Sequence, residues 1–465
     1  MKQNYLKRSV LIAAILVAAN VVGAAQKAAV SAVRETNVRA QMQFLAGDAL
    51  QGRGSGTVFE RIAAEYIGTQ FMQFGLEPAG EKGPDGKATY VQTVEVAGRE
   101  ALRDLKIGGD IGKNIVYGKD LIVFSINAKE ISGDLQRLKP GETPKKGAVV
   151  LLMLGPDEKF ESIQAKIPEI FKDGAAAILM SETKEIRENW SSVAERKASL
   201  SRRNGTLMAI SSDAITALSG VADGTKISMS TQFAASVKTY TWNAMGKITG
   251  TDKTLGAEVI LLTSHLDHLG VRENAPGDDK IFNGADDDAS GSVAVLELAR
   301  VLAAGPKPKR TVYFVCFGSE EAGGHGARYF VENMPFAKDK LVANLEFEMI
   351  GRPDAKVKAE ELWLTGYELS NLGPELAKRG AKLVQDPHPE ENFFQRSDNI
   401  QLARAGMIAH TVSSFGLHTD YHHASDEVKT IDFSHMTRSI NSMVAPIRWL
   451  INSNFRPVWH EGMKP

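Results

Sequence analysis

Cysteine is almost absent from the 465-residue sequence, in which Cys316 is the single one. A lone cysteine cannot close an intrachain disulfide, and it excludes cysteine-rich zinc sites and CxxC redox sites. Cys316 lies inside the apolar stretch RTVYFVCF, so we expect a buried, unreactive thiol rather than a nucleophile. The scarcity of cysteine therefore removes thiol catalysis and disulfide scaffolds from the possible functions.

An excess of charge of either sign is also missing. The chain has 55 Lys and Arg against 56 Asp and Glu, and its 43% hydrophobic and 24% charged residues are ordinary for a globular protein. No long basic patch with interleaved aromatic residues occurs, so we expect neither nucleic acid nor an anionic membrane as a partner. The length is sufficient for about two or three domains.

The N-terminus has the pattern of a secretory signal peptide. Basic residues precede an apolar stretch at residues 9–22, which is too short to span a bilayer comfortably, and the small residues VGAA then offer a cleavage site. We therefore expect residues 1–25 to be removed and the mature protein to be periplasmic or secreted, without a stable membrane anchor. An uncleaved anchor is the alternative.

The middle of the chain differs from the rest. Residues 118–239 contain apolar strand patterns at 148–154 and 176–180, but no histidine and no paired carboxylates beside a histidine. We interpret this segment as an inserted domain, and residues 26–117 and 240–465 as the main domain. A simple continuation of one sheet is the alternative, but the pattern of candidate site residues begins only after this segment.

Two continuous apolar runs organise the main domain. Residues 259–264 (VILLTS) are followed by a His-x-Asp pair, and residues 310–317 (RTVYFVCF) precede a Glu-Glu pair. Between them, ADDDASG leads into an amphipathic helix, which predicts buried parallel strands in a βαβ unit. Sites in such sheets form at the carboxyl ends of the strands. We therefore predict an α/β fold with a mixed, mainly parallel central sheet flanked by helices.

The candidate site residues all lie at a predicted strand end or in a loop. They are His265, Asp267, Asp286, Glu320, Glu321, Glu348, His422 and Asp426. Imidazole and carboxylate together suit a borderline cation such as zinc, and one bridging carboxylate can join two ions about 3.5–4 Å apart. A carboxylate beside a ligating histidine commonly fixes its tautomer, and Asp267 and Asp426 are placed to do so for His265 and His422.

Five motifs together carry a resemblance to a known family. SHLDHLG, NGADDDASG, GSEEAG, LEFEMIGR and YHHASDE occur in the order and approximate spacing of the dinuclear-zinc exopeptidases, which include bacterial leucyl aminopeptidases and, more distantly, glutamate carboxypeptidase. The early segment LAGDALQGRGSGT resembles longer members, and the inserted segment resembles their protease-associated domain. The resemblance covers most of the mature chain.

The resemblance implies a centre of two zinc ions. Carried over by position, Asp286 would bridge both ions, His422 and Glu321 would complete one ion, and His265 and Glu348 the other. Most relatives have aspartate at the position of Glu348. The longer side chain is expected to reach the ion, with altered affinity.

The resemblance also implies the catalytic groups. Glu320 would be the general base, Asp267 is counted with it among the catalytic residues, and the peptide bond Asp286–Asp287 would be cis. A general base next to two ions that activate water is the equipment for peptide hydrolysis.

Other polar residues near the motifs have weaker interpretations. His268 follows the first motif and receives no role, whereas His423 is a reserve ligand beside His422. His418 is expected to be near the centre, facing substrate or solvent. Arg396 would meet a substrate carboxylate or form a structural salt bridge.

The leading functional hypothesis is a secreted zinc aminopeptidase that acts on peptides. A carboxypeptidase or dipeptidase on the same scaffold is the second hypothesis. A non-catalytic binding relative would be expected to lack metal ligands, and this chain has a plausible one at every position. A glutaminyl cyclase shares the catalytic fold but usually lacks the inserted domain.

Overall fold

The computed structural model describes residues 32–465, except residues 97, 99, 114, 140, 197, 201–204 and 236. The predicted signal peptide lies outside the described residues. The chain divides into two compact units, one of Met1–Val96 with Tyr240–Pro465 and one of Ala97–Thr239. Among the residues described, none of the helices has both the length and the apolar character needed to cross a membrane.

The strands have these bounds in the described residues. In chain order they are β1 (Glu77–Pro78), β2 (Val91–Val96), β3 (Leu102–Ile107), β4 (Leu121–Ser125), β5 (Glu130–Arg137), β6 (Val149–Leu152), β7 (Ala177–Ser181), β8 (Thr206–Ile210), β9 (Lys226–Phe233), β10 (Thr239–Ile248), β11 (Val259–His265), β12 (Gly270–Val271), β13 (Ile281–Phe282), β14 (Thr311–Phe317), β15 (Leu341–Phe347), β16 (Leu362–Leu364), β17 (Leu383–Gln385) and β18 (Ala409–Ser413).

The α-helices are listed in the same way. They are α1 (Glu35–Leu45), α2 (Val58–Gln73), α3 (Gly109–Gly112), α4 (Phe160–Gln164), α5 (Ile167–Lys172), α6 (Lys184–Glu188), α7 (Trp190–Arg196), α8 (Ser212–Ser219), α9 (Gly291–Ala303), α10 (His325–Glu332), α11 (Leu372–Lys378), α12 (Asn399–Arg404) and α13 (Phe433–Asn452).

The first unit is built on one mixed sheet. Its strand order is β1-β10-β14-β11-β15-β18-β16-β17, and β2 also pairs with β10. The central strands β14, β11, β15 and β18 are mutually parallel, whereas β10 and β16 join them antiparallel. This confirms the predicted α/β architecture with a mainly parallel centre.

Helices cover this sheet with apolar faces. The last helix, α13, fully buries the side chains of Met436, Ile440, Met443, Ile447 and Leu450. They belong to one large core with α1, α2, α9 and the sheet, and α10 and α12 contribute to a second core. The polar groups at the carboxyl ends of the central strands lie outside these cores, and they form the site.

The second unit has its own seven-stranded sheet, in the order β3-β9-β5-β6-β7-β8-β4. Strand β3 pairs antiparallel with β9, so the unit begins at Ala97 rather than at the predicted residue 118. The early strand was missed because its pairing partner, β9, lies more than a hundred residues later. Its identification as a protease-associated domain remains a prediction.

Candidate metal centre

Three neighbouring parallel strands end at the centre. His265 is the last residue of β11, the Glu320–Glu321 pair follows β14, and Glu348 follows β15 directly. Since parallel strands point the same way, their carboxyl ends bring these groups to one edge of the sheet. Sharp turns follow the strands, because Ser319 and Met349 adopt left-handed backbone conformations with φ of 56° and 51°.

A first group of metal-seeking atoms consists of His265, Asp287 and Glu348. One donor atom from each residue lies within 4.8 Å of the others. The Nε2 atom of His265 is 3.1 Å from Oδ1 of Asp287, and both side chains are buried. Burial raises the pKa of Glu348 to about 7, and the nearby carboxylate of Asp287 adds to the rise, although His265 opposes it.

A second group shares the same aspartate. It contains His268, Asp287 and Glu321, again with donor atoms within 4.8 Å of one another. The Nε2 atom of His422 also lies 3.3 Å from Oδ2 of Asp287 and 3.3 Å from Oε1 of Glu321. Burial alone would lower the pKa of His422, but the carboxylates of Asp287 and Glu321 raise it to about 9. Asp287 is therefore a member of both groups of metal-seeking atoms.

The structure places Asp287, and not the predicted bridging residue Asp286, in both donor groups. The Oδ1 atom of Asp286 accepts a hydrogen bond from the Gly351 backbone N–H at 2.7 Å, and its Oδ2 lies 2.9 Å from Nε2 of His418. It belongs to neither donor group. The cis bond is Asp287–Asp288 and not the predicted Asp286–Asp287. The direction of a side chain changes at each step along this irregular turn, so three consecutive aspartates cannot be told apart by pattern.

Asp288 holds the turn together. Its carboxylate accepts hydrogen bonds from the backbone N–H groups of His265 at 3.2 Å, Gly291 at 2.9 Å and Met349 at 3.1 Å. Gly291 is the first residue of α9, so Asp288 contacts the start of that helix. Asp288 also connects this helix to the ends of β11 and β15.

Asp267 was predicted to fix the tautomer of His265, but its carboxylate makes other contacts in the structure. His265 Nδ1 contacts the backbone carbonyl of Asp267 at 3.2 Å, whereas the Asp267 carboxylate is 3.8 Å away. That carboxylate accepts from the backbone N–H groups of Glu320 at 3.0 Å and Glu321 at 3.3 Å. Asp267 therefore positions the Glu-Glu pair.

Asp426 likewise does not touch His422 in the described contacts. It accepts from the N–H groups of Asp286 at 3.0 Å and Asp287 at 3.1 Å, and Arg352 donates to it at 3.2 Å. Burial raises the pKa of Asp426 to about 6, and the neighbouring Asp286 adds to the rise. Its function is to hold the aspartate turn, because both N–H groups at the start of that turn point to it.

A loop near the N-terminus supports the centre. The buried guanidinium of Arg53 donates to four backbone carbonyl groups, those of Leu45, Leu266, Asn283 and Gly284. The hydroxyl of Ser55 donates to Oδ2 of Asp267. Gly52 has φ of 68°, and a Cβ there would lie 2.2 Å from the Phe282 carbonyl oxygen. The only sequence signal for this role was the glycine-flanked arginine in QGRGSG.

Two further candidates, His423 and Arg396, lie outside both donor groups. His423 is exposed and contacts the Tyr421 carbonyl at 2.8 Å, so the structure does not bring this reserve ligand into either group. Arg396 forms an exposed ion pair with Glu391 at 3.0 Å.

Beside Glu348 is a mainly apolar hollow, lined by Met349, Trp363, Thr365, Phe393, Arg396, Thr411, Ser413, Phe415 and Tyr421.

A bound metal ion explains the arrangement of these donor atoms better than hydrogen bonds among them do. His265 Nε2, His268 Nδ1 and Glu321 Oε1 are buried and have no hydrogen-bond partner among the described residues. Unpaired buried polar atoms are costly unless they are satisfied by an ion or water. Imidazole nitrogens together with carboxylate oxygens are the donors that zinc prefers. The site therefore has the chemistry of a zinc centre.

Comparison with known proteins agrees with this chemistry. Residues 243–446 match the model of Peptidase family M28. Leupeptin-inactivating enzyme 1 of Streptomyces exfoliatus is 40% identical over 98 residues, which are 21% of this chain and 20% of that protein. An aminopeptidase of Pseudomonas aeruginosa is 36% identical over 120 residues, 25% of this chain and 19% of that protein. The chain thus spans about a fifth of the length of these relatives.

Solved structures share the fold over most of the chain. An aminopeptidase from Aneurinibacillus sp. strain AM-1 superposes with a TM-score of 0.57 at 20% identity, covering 91% of this chain and 96% of that one. A zinc aminopeptidase from Bacillus subtilis gives a TM-score of 0.54 at 17% identity, covering 91% and 96%. At these identities the likeness concerns the fold.

Proposed function

Since residues 243–446 match the model of Peptidase family M28, we propose that this chain is a zinc-dependent aminopeptidase that removes N-terminal residues from peptides. The observation that carries the proposal is that one buried carboxylate, Asp287, belongs to two groups of metal donors at the strand ends. A shared carboxylate of this kind is how a protein holds two ions close together.

Two zinc ions are the proposed cofactors. His265, Asp287 and Glu348 would hold one, and Asp287, Glu321 and His422 the other. When bound, zinc acts as a Lewis acid that polarises a carbonyl group and lowers the pKa of water.

Glu320 is the proposed general base. Its backbone N–H is held by Asp267, and burial raises the pKa of its carboxyl group well above the usual range, although His265 opposes the rise. A carboxylate with a raised pKa accepts a proton near neutral pH more readily than an ordinary one. Glu320 takes a proton from the attacking water and gives it to the nitrogen of the leaving peptide.

The charge around the centre favours an aminopeptidase over the carboxypeptidase alternative. The guanidinium that lines the hollow, Arg396, is already paired with Glu391 and is thus a weaker candidate for holding a substrate carboxylate. The apolar hollow beside Glu348 would receive the first side chain of the peptide.

Mass spectrometry of a mixed peptide set tests the proposal. The zinc-loaded protein is expected to remove single N-terminal residues, and N-acetylated peptides should resist while C-amidated peptides are cleaved. Glu320→Gln should lower the rate about 10²–10⁴-fold, and the matched surface variant Glu65→Gln, at an exposed pair with Arg61, should not. Trimming from the C-terminus would establish the carboxypeptidase instead. Absence of cleavage despite bound zinc would favour a binding relative.

The pattern of the first 25 residues supports export of the mature protein to the periplasm or the medium. Expression of the full chain, followed by fractionation and N-terminal sequencing, checks this. Processing after residue 25 is the expected result, and retention of the unprocessed chain inside the cell would contradict it.

A further inference from the structure

We propose that His268 is an additional ligand of the second ion, so that this ion is held by two imidazoles and the first by only one. The inference rests on the proposed function insofar as it requires two zinc ions that share Asp287. It adds to the ligand set a residue that the motif resemblance left without a role.

The position of the ring carries the proposal. His268 is fully buried, and its Nδ1 lies 2.8 Å from Oε1 of Glu321 and 3.8 Å from Oδ2 of Asp287. His422 approaches the same two oxygen atoms, at 3.3 Å each. Donor atoms on a tetrahedron with bonds of 2.0–2.1 Å are about 3.3–3.4 Å apart. For each ring, the mean of its distances to Glu321 Oε1 and Asp287 Oδ2 is close to that separation.

A simple hydrogen bond between His268 and Glu321 explains the contact less well. Although their atoms are close, neither His268 Nδ1 nor Glu321 Oε1 has a hydrogen-bond partner among the described residues. One donor atom each of His268, Glu321 and Asp287 lies within 4.8 Å of the others. An ion there satisfies all of them at once, whereas a hydrogen bond would satisfy one pair.

Packing keeps the ring in this place. A Cβ on Gly284 would lie 2.4 Å from Cγ of His268, so the ring rests directly on the backbone of this glycine. The backbone N–H of His268 donates to the Arg53 carbonyl at 3.2 Å, and residue 268 forms a bridge with Gly54. The ring is therefore preorganised, whereas His422 is 38% exposed.

The two groups then differ in composition. Asp287, Glu321, His268 and His422 make four protein donors for the second ion, against three from His265, Asp287 and Glu348 for the first. Four protein donors are typical of closed zinc sites, and three leave a position for water or substrate. The second ion is therefore expected to bind more tightly, and the first to be the exchangeable one.

X-ray absorption at the zinc edge of the full chain, loaded with two equivalents of zinc, tests the inference directly. Three histidines shared by two ions give about 1.5 imidazoles per zinc, whereas the set without His268 gives about 1.0. With one equivalent, the ion should have about two imidazoles. A chelator competition then measures the two dissociation constants.

His268→Gln provides the second readout. We expect the imidazole count to fall to about 1.0 and the affinity of the tighter ion to fall about 100-fold or more. His410→Gln is the matched control, because His410 is an equally buried histidine that bonds to Ser370 at 2.8 Å and belongs to neither donor group. It should leave the count and both affinities unchanged.

The outcomes separate this inference from the proposed function. Two bound zinc ions with about 1.0 imidazole each in the unsubstituted protein would overturn the role of His268 while leaving the peptidase proposal intact. A count of about 1.5 without peptide cleavage would uphold His268 and contradict the peptidase. Binding of a single zinc ion would overturn the inference. The count in the unsubstituted protein decides even when His268→Gln does not fold.

Discussion

The Asp267 carboxylate accepts a hydrogen bond from the backbone N–H of Glu320 at 3.0 Å, at the point where the chain leaves β14. Its other oxygen accepts from Glu321 N–H at 3.3 Å and from the Ser55 hydroxyl. One buried carboxylate thus joins the N-terminal loop to both the proposed general base and a proposed metal ligand. The position of the base depends on a residue that does not itself react.

Asp267→Asn should therefore lower kcat about 10–100-fold. An amide offers one oxygen in place of two, so one of the two N–H groups loses its partner and the Glu-Glu pair shifts. Peptide cleavage and zinc content are measured together, and zinc should be largely retained. Asp339→Asn, at a 73% exposed side chain, is the control. An unchanged kcat for Asp267→Asn would show that the positions of Glu320 and Glu321 do not need this carboxylate.

Arg53 should be a stability residue. Arg53→Met leaves four buried carbonyl groups without their donor, so we expect the free energy of unfolding to fall by about 3–5 kcal/mol. Arg39→Met is the matched control, because its pair with Glu35 is exposed and worth about 0–1 kcal/mol. Urea unfolding of the zinc-free proteins measures both, and equal losses would contradict the assigned role.

The zinc-free protein should become less stable as the pH rises from about 6 to 8.5. Burial raises the pKa of Asp398 from 3.8 to about 8, so between these values the folded state holds a proton that the unfolded chain has lost. Folding stability then falls with rising pH. Glu348, with a pKa of about 7, and His422, with a pKa of about 9, act in the same direction.

Thermal unfolding in the presence of a chelator measures this effect, and a fall in Tm on the order of 5 °C is expected over that range. Asp398→Asn removes one titrating group and should reduce the slope. Zinc should reverse the trend, because its ligands bind it deprotonated. A Tm that rises with pH in the chelated protein would refute the prediction.

The apolar hollow beside Glu348 should select the first residue of the peptide. Peptides that begin with leucine, methionine or phenylalanine should have kcat/KM about 10–200-fold higher than those beginning with aspartate, because burying a charge in an apolar site is unfavourable. Phe415→Ala enlarges the hollow and should shift the preference toward larger side chains. Phe336→Ala, which packs on Tyr313 elsewhere, should not, and a shared shift would point to a general loss of structure.

Cys316 should be unreactive in the folded protein. The thiol is fully buried in β14, and burial raises its pKa to about 12, so little thiolate exists at neutral pH. Iodoacetamide followed by mass spectrometry should find no modification until a denaturant is added. Rapid alkylation of the native protein would show that β14 opens readily.

The hydrophobic pattern of the sequence, and the rule that sites form at the carboxyl ends of parallel strands, predicted much of the first unit. The apolar runs became β11 and β14 within one residue. His265, Glu320, Glu321 and Glu348 come together because parallel strands end at one edge of the sheet, and His422 joins them from a loop. The start of the second unit was missed, because β3 is defined by a distant partner.

The sequence by itself determined the chemistry of this protein: apolar runs that must be buried, and imidazole and carboxylate groups at their polar ends. The tertiary structure alone decided which atoms meet. Asp287 rather than Asp286 faces the donors because of the backbone angles of one irregular turn. His268 and Arg53 acquire their surroundings from segments up to 231 residues away in the chain. Side-chain direction in loops depends on such distant contacts, and no local pattern encodes them.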